Sequence, residues 1–218
     1  MPPIVSVHGD ASGDALRPKT VSDYRMPQMR EIDHRAIAPL CEKADDKADA
    51  VSGDRLPPIV SVIGKANSGK TTLLERLIPA LHVRNIRVGT IKHHVHEFDM
   101  DKPGKDTWRH KQAGAKVVAL SSPTGLGVIR DTDRDIPLLE VVSRYFDDVD
   151  LVITEGYKSG PAPKIEVFRG TAHDEPLARR DATWLAMVSD RTIACGLPLF
   201  ALDDAAGLAD FLIATFAL

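Results

Sequence analysis

The first chemistry that the sequence offers is a loop for binding phosphate. Residues 64–71 read GKANSGKT, which matches the pattern G-x-x-x-x-G-K-[ST]. Its two glycines let the backbone curl so that successive N–H groups point at phosphate oxygens, and a helix beginning at Lys70 adds its positive dipole end. We expect Lys70 to reach the β- and γ-phosphates and the Thr71 hydroxyl to bind Mg²⁺. A glycine-rich turn without a ligand is the alternative, but the predicted strand before the loop and the predicted helix after it favour nucleotide binding.

Lys65 has an interpretation of its own because it directly follows the first glycine of the loop. Its position resembles the extra lysine of the deviant loops in a dimeric branch that includes partitioning ATPases. In those proteins the lysine reaches the nucleotide of the neighbouring subunit. A solvated lysine near an anionic ligand is the alternative, and the sequence leaves both open.

A second concentration of polar side chains lies at residues 91–106, which read IKHHVHEFDMDKPGKD. The segment follows a predicted strand, on the side where α/β sheets bind ligands. Lysines suit phosphate, and aspartates suit magnesium or its water; the candidate carboxylates are Asp99, Asp101 and Asp106. We interpret the segment as a switch-like loop over the γ-phosphate. A transition-metal site at His93, His94 and His96 is an alternative, although adjacent histidines on a strand point to opposite faces. A plain polar loop is another.

Two further carboxylates end predicted strands. Residues 150–156 read DLVITEG, an apolar run that closes on Glu155 and resembles a Walker B strand. Glu155 is expected to act on magnesium through a water or to orient the attacking water, the alternative being a structural carboxylate. Asp190 ends a later strand and is positioned to accept two hydrogen bonds from guanine; a simple turn aspartate is equally compatible.

These patterns give one set of candidate site residues. Glu155 and Asp106 are the candidate catalytic groups, and with Thr71 they are the candidate metal ligands. The residues predicted to bind nucleotide are Gly64, Lys65, Ala66, Asn67, Ser68, Gly69, Lys70, Thr71, Thr72 and Asp190.

The elements that position these residues alternate between strand and helix from Pro57 onward. Predicted strands are 59–63, 87–91, 116–120, 127–130, 151–154, 164–168 and 184–188. Predicted helices begin at Lys70 and cover 106–113, 137–146 and 204–216. The alternation favours an α/β fold with a mainly parallel sheet and helices on both faces. The segments around 116–121 and 127–131, joined by a Pro/Gly turn, are predicted to form a β-hairpin.

Composition limits the class of protein. The net charge of −3 is unlike that of a general nucleic-acid binder. No apolar run is long enough to cross a bilayer. The two cysteines, Cys41 and Cys195, are far apart and show no metal-like spacing. We therefore expect a cytoplasmic protein that uses neither nucleic acid nor a membrane.

Residues 1–56 form an extension in this interpretation, and residues 57–218 form the nucleotide-binding domain. The extension is poor in apolar runs, so we expect partial disorder. Its PPIVSVHG at 2–9 nearly repeats PPIVSVIG at 57–64, but Asp14 stands where the loop lysine is required. A duplicated start and a docking strand both remain open.

The segments GKANSGKTTLLERLIPAL, DKPGKD, EGYK and PKIEVFR together resemble the molybdopterin-guanine dinucleotide biosynthesis protein B (MobB) family. The resemblance covers about residue 58 to the C-terminus. It implies a homodimeric, weakly hydrolysing GTP-binding protein that uses Mg²⁺ and places functional roles on Lys70, Thr71, Asp106 and Glu155. The implied partners are molybdopterin guanylyltransferase and molybdopterin or its guanine dinucleotide.

Two other functions fit a phosphate-binding loop on this fold. A small-molecule kinase is one, but no long arginine-rich lid is evident. A partitioning-type ATPase is the other, but the predicted last helix contains no lysine or arginine for a basic surface.

Overall fold

The computed structural model of the chain describes residues 56–94, 98–178 and 180–218. The strands in these ranges are β1 (Ile59–Ile63), β2 (Val88–Lys92), β3 (Val117–Ser122), β4 (Gly125–Arg130), β5 (Leu151–Glu155), β6 (Lys164–Phe168), β7 (Trp184–Ser189) and β8 (Leu199–Phe200). The helices are α1 (Lys70–His82), α2 (Asp106–Gln112), α3 (Leu138–Tyr145) and α4 (Ala205–Phe216).

Six of these strands form one sheet in the order β2-β5-β1-β6-β7-β8, and each neighbouring pair is parallel. Because the strands are parallel, their carboxyl ends meet at one edge of the sheet. The central strand β1 is flanked by β5 on one side and β6 on the other, so the loop after β1 lies between the ends of both neighbours. This arrangement fixes where a ligand of the loop must lie.

One face of the sheet carries the main hydrophobic core. Helix α1 buries Leu73, Leu74, Leu77 and Leu81, the spacing of one helical stripe, and α4 buries Leu208, Ala209 and Leu212. Alternate strand residues complete this core: Val60, Val62, Leu151, Ile153, Ile165, Val167, Ala186 and Val188. The side chains on this face hold α1 against the sheet. They thereby fix the position of Lys70 and Thr71, the first residues of this helix.

The other face is covered partly by the end of α3. A Cβ placed on Gly89 of β2 would lie 2.3 Å from the ring of Phe146, the residue that follows α3. Gly89 pairs with Val152 of β5, whose side chain lies opposite to that of the core residue Ile153. Phe146 therefore packs on the face away from α1, and helices lie on both faces as predicted.

Two buried charged residues on β6 anchor the segments before and after this strand. The Lys164 ammonium donates to the carbonyl of Gly160 at 2.7 Å and to the hydroxyl of Thr183 at 2.6 Å, and burial lowers its pKa. Glu166, which is 1% exposed, accepts from the backbone N–H of Leu177 at 2.6 Å. Because buried charges are costly without partners, these bonds pin the chain between β6 and β7 to the sheet.

Strands β3 and β4 form the predicted hairpin, which is a separate two-stranded antiparallel sheet. The pairing places Val117, Ala119, Leu126 and Val128 on one side of it, and all four side chains are exposed. We call this side the hairpin apolar face. A two-stranded sheet is only marginally stable in water unless its apolar side packs against another element. An exposed apolar side is therefore unusual for such a hairpin.

Most predicted elements are confirmed to within two residues, and the bounds of β1 and β6 coincide with the prediction. Strand β8 is an addition, formed by two residues that pair with the edge of β7. Helix α1 contains Pro79 and continues past it to His82. The repeat at residues 2–9, Asp14 and Cys41 lie outside the described residues.

Candidate functional site

The loop between β1 and α1 adopts a conformation that requires its glycines. Gly64 has φ +153° and Gly69 has φ +95°, and a Cβ on Gly64 would lie 2.4 Å from the carbonyl oxygen of Val167. Asn67 also has a positive φ of 58°, a region that asparagine tolerates better than most residues. The backbone therefore curls over β6 in the way that a phosphate cradle needs.

A cavity of about 500 Å³ opens above this loop, a volume within the usual range for ligand pockets. The residues that line it are Ala66, Asn67, Gly69, Lys70, Thr71, Thr72, Glu155 and Arg169. Seven of these eight are predicted site residues, which the structure thus brings together. Gly64 and Ser68, also predicted, lie buried in the loop beneath.

The ammonium group of Lys70 is held on its own loop. It donates to the carbonyl oxygen of Lys65 at 2.8 Å and lies 3.4 Å from that of Gly64. Burial lowers the pKa of Lys70, and the negative charge of Glu155 opposes this effect. An anionic ligand would interact strongly with this cation, because charges attract each other more strongly where they are partly removed from water.

Thr71 and Glu155 meet at one corner of the cavity. The Thr71 hydroxyl donates to the Glu155 carboxylate, at 3.1 Å from one oxygen and 3.3 Å from the other. The Glu155 side chain is 14% exposed, and the Lys92 ammonium lies 3.7 Å from its nearer oxygen. A hydroxyl and a carboxylate side by side are hard oxygen ligands of the kind that Mg²⁺ selects.

The residues present therefore fit a nucleoside triphosphate with magnesium. The curled backbone forms the cradle, and the buried hydroxyl of Ser68 has no hydrogen-bond partner among the described residues. Lys70 would hold phosphate oxygens, and Thr71 with Glu155 would hold the metal. Magnesium would supply charge neutralisation to the β- and γ-phosphates.

Arg169 is a member of the site that the sequence analysis missed. It follows β6 directly and lines the cavity. Its terminal nitrogen lies 3.0 Å from the position that a Cβ on Gly69 would take. The signal for it was an arginine that directly follows a buried strand, but only the strand order shows that this strand lies beside β1.

Asp106 and Lys65 are predicted site residues that do not line the cavity. The Asp106 side chain, at the start of α2, is 89% exposed and lies 3.9 Å from Arg109. The structure does not bring it together with Thr71 and Glu155, so its role at the metal stays a prediction. Lys65 contributes its carbonyl oxygen to Lys70, as above, and its contact with a second subunit also stays a prediction.

The carboxylate of Asp190 contacts the turn after β6. One oxygen accepts from the backbone N–H of Gly170 at 2.6 Å, and the other lies 3.3 Å from the Thr171 hydroxyl. The hydrogen bond from Gly170 is the main reason that the pKa of Asp190 is lowered. Asp190 is not among the residues that line the cavity, and recognition of guanine by this residue stays a prediction.

The start of the predicted switch-like segment packs on the turn after Glu155. The His93 ring lies 4.3 Å from that of Tyr157, and the His93 N–H donates to the Glu155 carbonyl at 3.0 Å. Among residues 56–94, 98–178 and 180–218, no three His, Cys, Asp or Glu side chains converge as a metal site. The transition-metal alternative thus gains no support there, and His96 lies outside the described residues. None of the helices described is long and apolar enough to span a membrane.

Sequence comparison places this site within a known family. The model of the family "MobB: Molybdopterin guanine dinucleotide synthesis protein B" matches residues 59–190. A Haemophilus influenzae protein named molybdopterin-guanine dinucleotide biosynthesis adapter protein is 37% identical over 157 residues, which are 71% of this chain and 87% of the relative. An Escherichia coli protein of the same name is 35% identical over 167 residues, covering 75% and 95%.

Solved structures agree with the sequence comparison. A crystal structure of Bacillus subtilis MobB superposes with a TM-score of 0.60 at 29% identity, covering 73% of this chain and 98% of the other. A crystal structure of molybdopterin-guanine biosynthesis protein B superposes with a TM-score of 0.59 at 32% identity, covering 72% and 99%. The predicted α/β fold with a phosphate-binding loop is confirmed.

Proposed function

We propose a function from the premise that this chain belongs to the MobB family: it is a GTP-binding adapter that assists the formation of molybdopterin guanine dinucleotide. Family membership supports a role in molybdenum cofactor biosynthesis. We place the nucleotide-binding domain at residues 57–218, treat residues 1–56 as an extension, and expect the protein to work in the cytoplasm.

The observation that carries the nucleotide-binding part is the convergence of Lys70, Thr71 and Glu155 on one cavity above a curled loop. Backbone N–H groups of the loop bind phosphate oxygens, and Lys70 leaves its two carbonyl partners to bind the β- and γ-phosphates. The Thr71 hydroxyl and the Glu155 carboxylate orient the hydrated metal. Hydrolysis is expected to be slow, in keeping with an adapter rather than a fast enzyme.

Calorimetric titration of the purified chain with GTP and ATP, with and without magnesium, tests this proposal. We expect GTP to bind more tightly than ATP and to require Mg²⁺ for full affinity. A preference for ATP favours a partitioning-type ATPase, and turnover of ATP with a small acceptor favours a kinase.

The adapter part requires a separate experiment. We propose molybdopterin guanylyltransferase as the protein partner and molybdopterin or its guanine dinucleotide as the small-molecule partner. The full chain, immobilised and loaded with GTP, should retain the purified transferase. If it retains neither the transferase nor molybdopterin, the protein binds nucleotide for another purpose.

We also propose that the chain is a homodimer through the hairpin apolar face. The hairpin stands apart from the main sheet, and its apolar face exposes Leu126 (71%), Val128 (44%) and Val117 (40%) together. Contiguous apolar surface of this kind marks an interaction site. A second copy of the chain presents the same surface, so the two faces can bury each other around a two-fold axis.

Replacing Val128 with lysine should dissociate this dimer. The residue lies opposite Ala119 in the middle of the hairpin, so the change places one ammonium group from each copy in the proposed interface. We expect the dimer dissociation constant to rise by at least about tenfold, because buried unpaired charge is costly. Light scattering over a range of concentrations measures it.

The matched control is Val83→Lys, the same exchange at a valine that is 74% exposed at the end of α1. This variant should keep the wild-type mass. A Val128→Lys variant that remains dimeric would show that the subunits associate elsewhere.

A further inference from the structure

The guanidinium group of Arg169 lies beside the phosphate-binding loop and has no carboxylate partner among the residues that the structure describes. It lies against Gly69 and lines the same cavity as Lys70 and Thr71. Within the described ranges, no hydrogen bond or ion pair involves this side chain, although the residue is half-buried. A half-buried arginine is usually paired with an acceptor. Its charge is therefore available to a ligand of the cavity.

The sheet fixes the side from which Arg169 approaches. Strand β6 pairs with β1 on one flank, and β5, which ends in Glu155, pairs with β1 on the other. Arg169 and Glu155 therefore reach the cavity from opposite sides of the loop. Thr71 and Glu155 mark the proposed magnesium corner, so Arg169 lies on the far side of the loop from it.

Hydrogen bonds to two neighbouring elements hold the turn that carries Arg169. Gly170 and Thr171 bind the carboxylate of Asp190 at the end of β7, as described above. His173 donates from its ring nitrogen to the carbonyl of Ala66 in the loop at 2.7 Å, and its backbone N–H donates to the Arg169 carbonyl at 3.0 Å. The turn is thus bound both to the neighbouring strand and to the phosphate-binding loop itself.

We propose that Arg169 binds the α- and β-phosphates of the nucleotide and that Asp190 is a positioning residue for it. The planar guanidinium fork matches two phosphate oxygens, which suits this role better than a point charge does. The proposal deepens, and rests on, the nucleotide binding proposed above. It also gives the Asp190 carboxylate a function that its observed contacts support.

Replacing Arg169 with alanine should lower the affinities for GTP and GDP to the same extent, by about tenfold, because both nucleotides carry the α- and β-phosphates. Arg169→Lys keeps the charge but loses the fork, so we expect an intermediate loss of about threefold. Arg76→Ala removes an exposed arginine of α1 that does not line the cavity and should bind like the wild type. Calorimetric titration with each nucleotide gives the affinities.

The outcomes separate this inference from the proposed function. If the wild type binds GTP and both Arg169 variants bind GTP and GDP equally well, Arg169 is not a ligand. A loss confined to GTP would place the side chain on the γ-phosphate and overturn the assignment. If the wild type itself binds no nucleotide, the proposed function fails instead. Melting temperatures identify any variant that folds poorly, and Arg169→Lys then decides.

Asp190→Asn tests the positioning role. We expect it to lower the affinities for GTP, GDP and ATP alike by about threefold. The ratio of the GTP affinity to the ATP affinity should stay unchanged. In the Arg169→Ala background the same exchange should cause no further loss, because it acts through the arginine. A fall in the GTP-to-ATP ratio would instead show that Asp190 recognises guanine, and it would overturn the positioning role.

Discussion

Replacing Lys70 with alanine should lower the affinity for GTP by about ten- to a hundredfold, since a hydrogen bond to a charged group contributes about 1.5–3 kcal/mol. The ammonium group lies at the loop, 2.8 Å from the Lys65 carbonyl, and in our proposal it exchanges this carbonyl for phosphate oxygens. Burial lowers its pKa, which shows that water stabilises the charge less here than at the surface. Phosphate oxygens would stabilise the Lys70 charge in place of water, and alanine has no charge that could form this interaction.

The stability of the nucleotide-free protein should change little in this variant. Alanine removes the partial burial of a charge and also two contacts to loop carbonyls, and these effects oppose each other. Calorimetric titration with GTP and a melting curve without nucleotide measure the two quantities. Lys116→Ala, an exposed lysine of the hairpin paired with Asp133, is the control. A folded Lys70→Ala protein with wild-type affinity would remove the phosphate-binding assignment.

The sequence predicts the elements well where local pattern and burial agree. The predicted bounds of strand β6 coincide with the observed ones. Its residues, KIEVF, form a short run between Pro163 and Gly170, which is a local signal for a strand. Strand β8 was missed because two residues beside Pro198 carry no periodic signal. Leu199 and Phe200 become a strand only through pairing with the edge of β7, which is a tertiary effect.

The parts of the site whose residues are close together in the sequence could be predicted. Residues 64–71 are one motif, and the apolar run before Glu155 indicates the second strand of the site. Arg169 was not predictable in this way, because nothing local shows that β6 lies next to β1. For Asp190 the residue was identified, but its contacts with Gly170 and Thr171 depend on a loop twenty residues earlier in the chain.

Exchanging Glu155 for glutamine should separate nucleotide binding from hydrolysis. Glutamine keeps the shape of the side chain and its reach to the Thr71 hydroxyl, but it removes the negative charge that would hold the hydrated metal. Because this charge matters more as charge shifts in the transition state than in the bound ground state, we expect GTP affinity within a few-fold of wild type. Hydrolysis should fall by about ten- to a hundredfold, as for the loss of a base or water-orienting group.

The magnesium requirement should change in the same variant. The Glu155 carboxylate and the Thr71 hydroxyl are in contact, so removing the charge weakens the metal site they would form and should raise the magnesium midpoint. Single-turnover hydrolysis of GTP at a series of magnesium concentrations gives both quantities.

Glu75→Gln is the matched control for the loss of a carboxylate. Glu75 is exposed on α1 and borders, with Glu155, a smaller cavity beside the nucleotide site. Within the described residues, its carboxylate forms no hydrogen bond with the Thr71 hydroxyl, which binds Glu155 instead, so its variant should keep both the hydrolysis rate and the magnesium midpoint of the wild type. If Glu155→Gln behaves like this control, the carboxylate is not at the metal, and its contact with Thr71 is structural. The role of Lys70 would survive that result, because the ammonium binds phosphate without the metal.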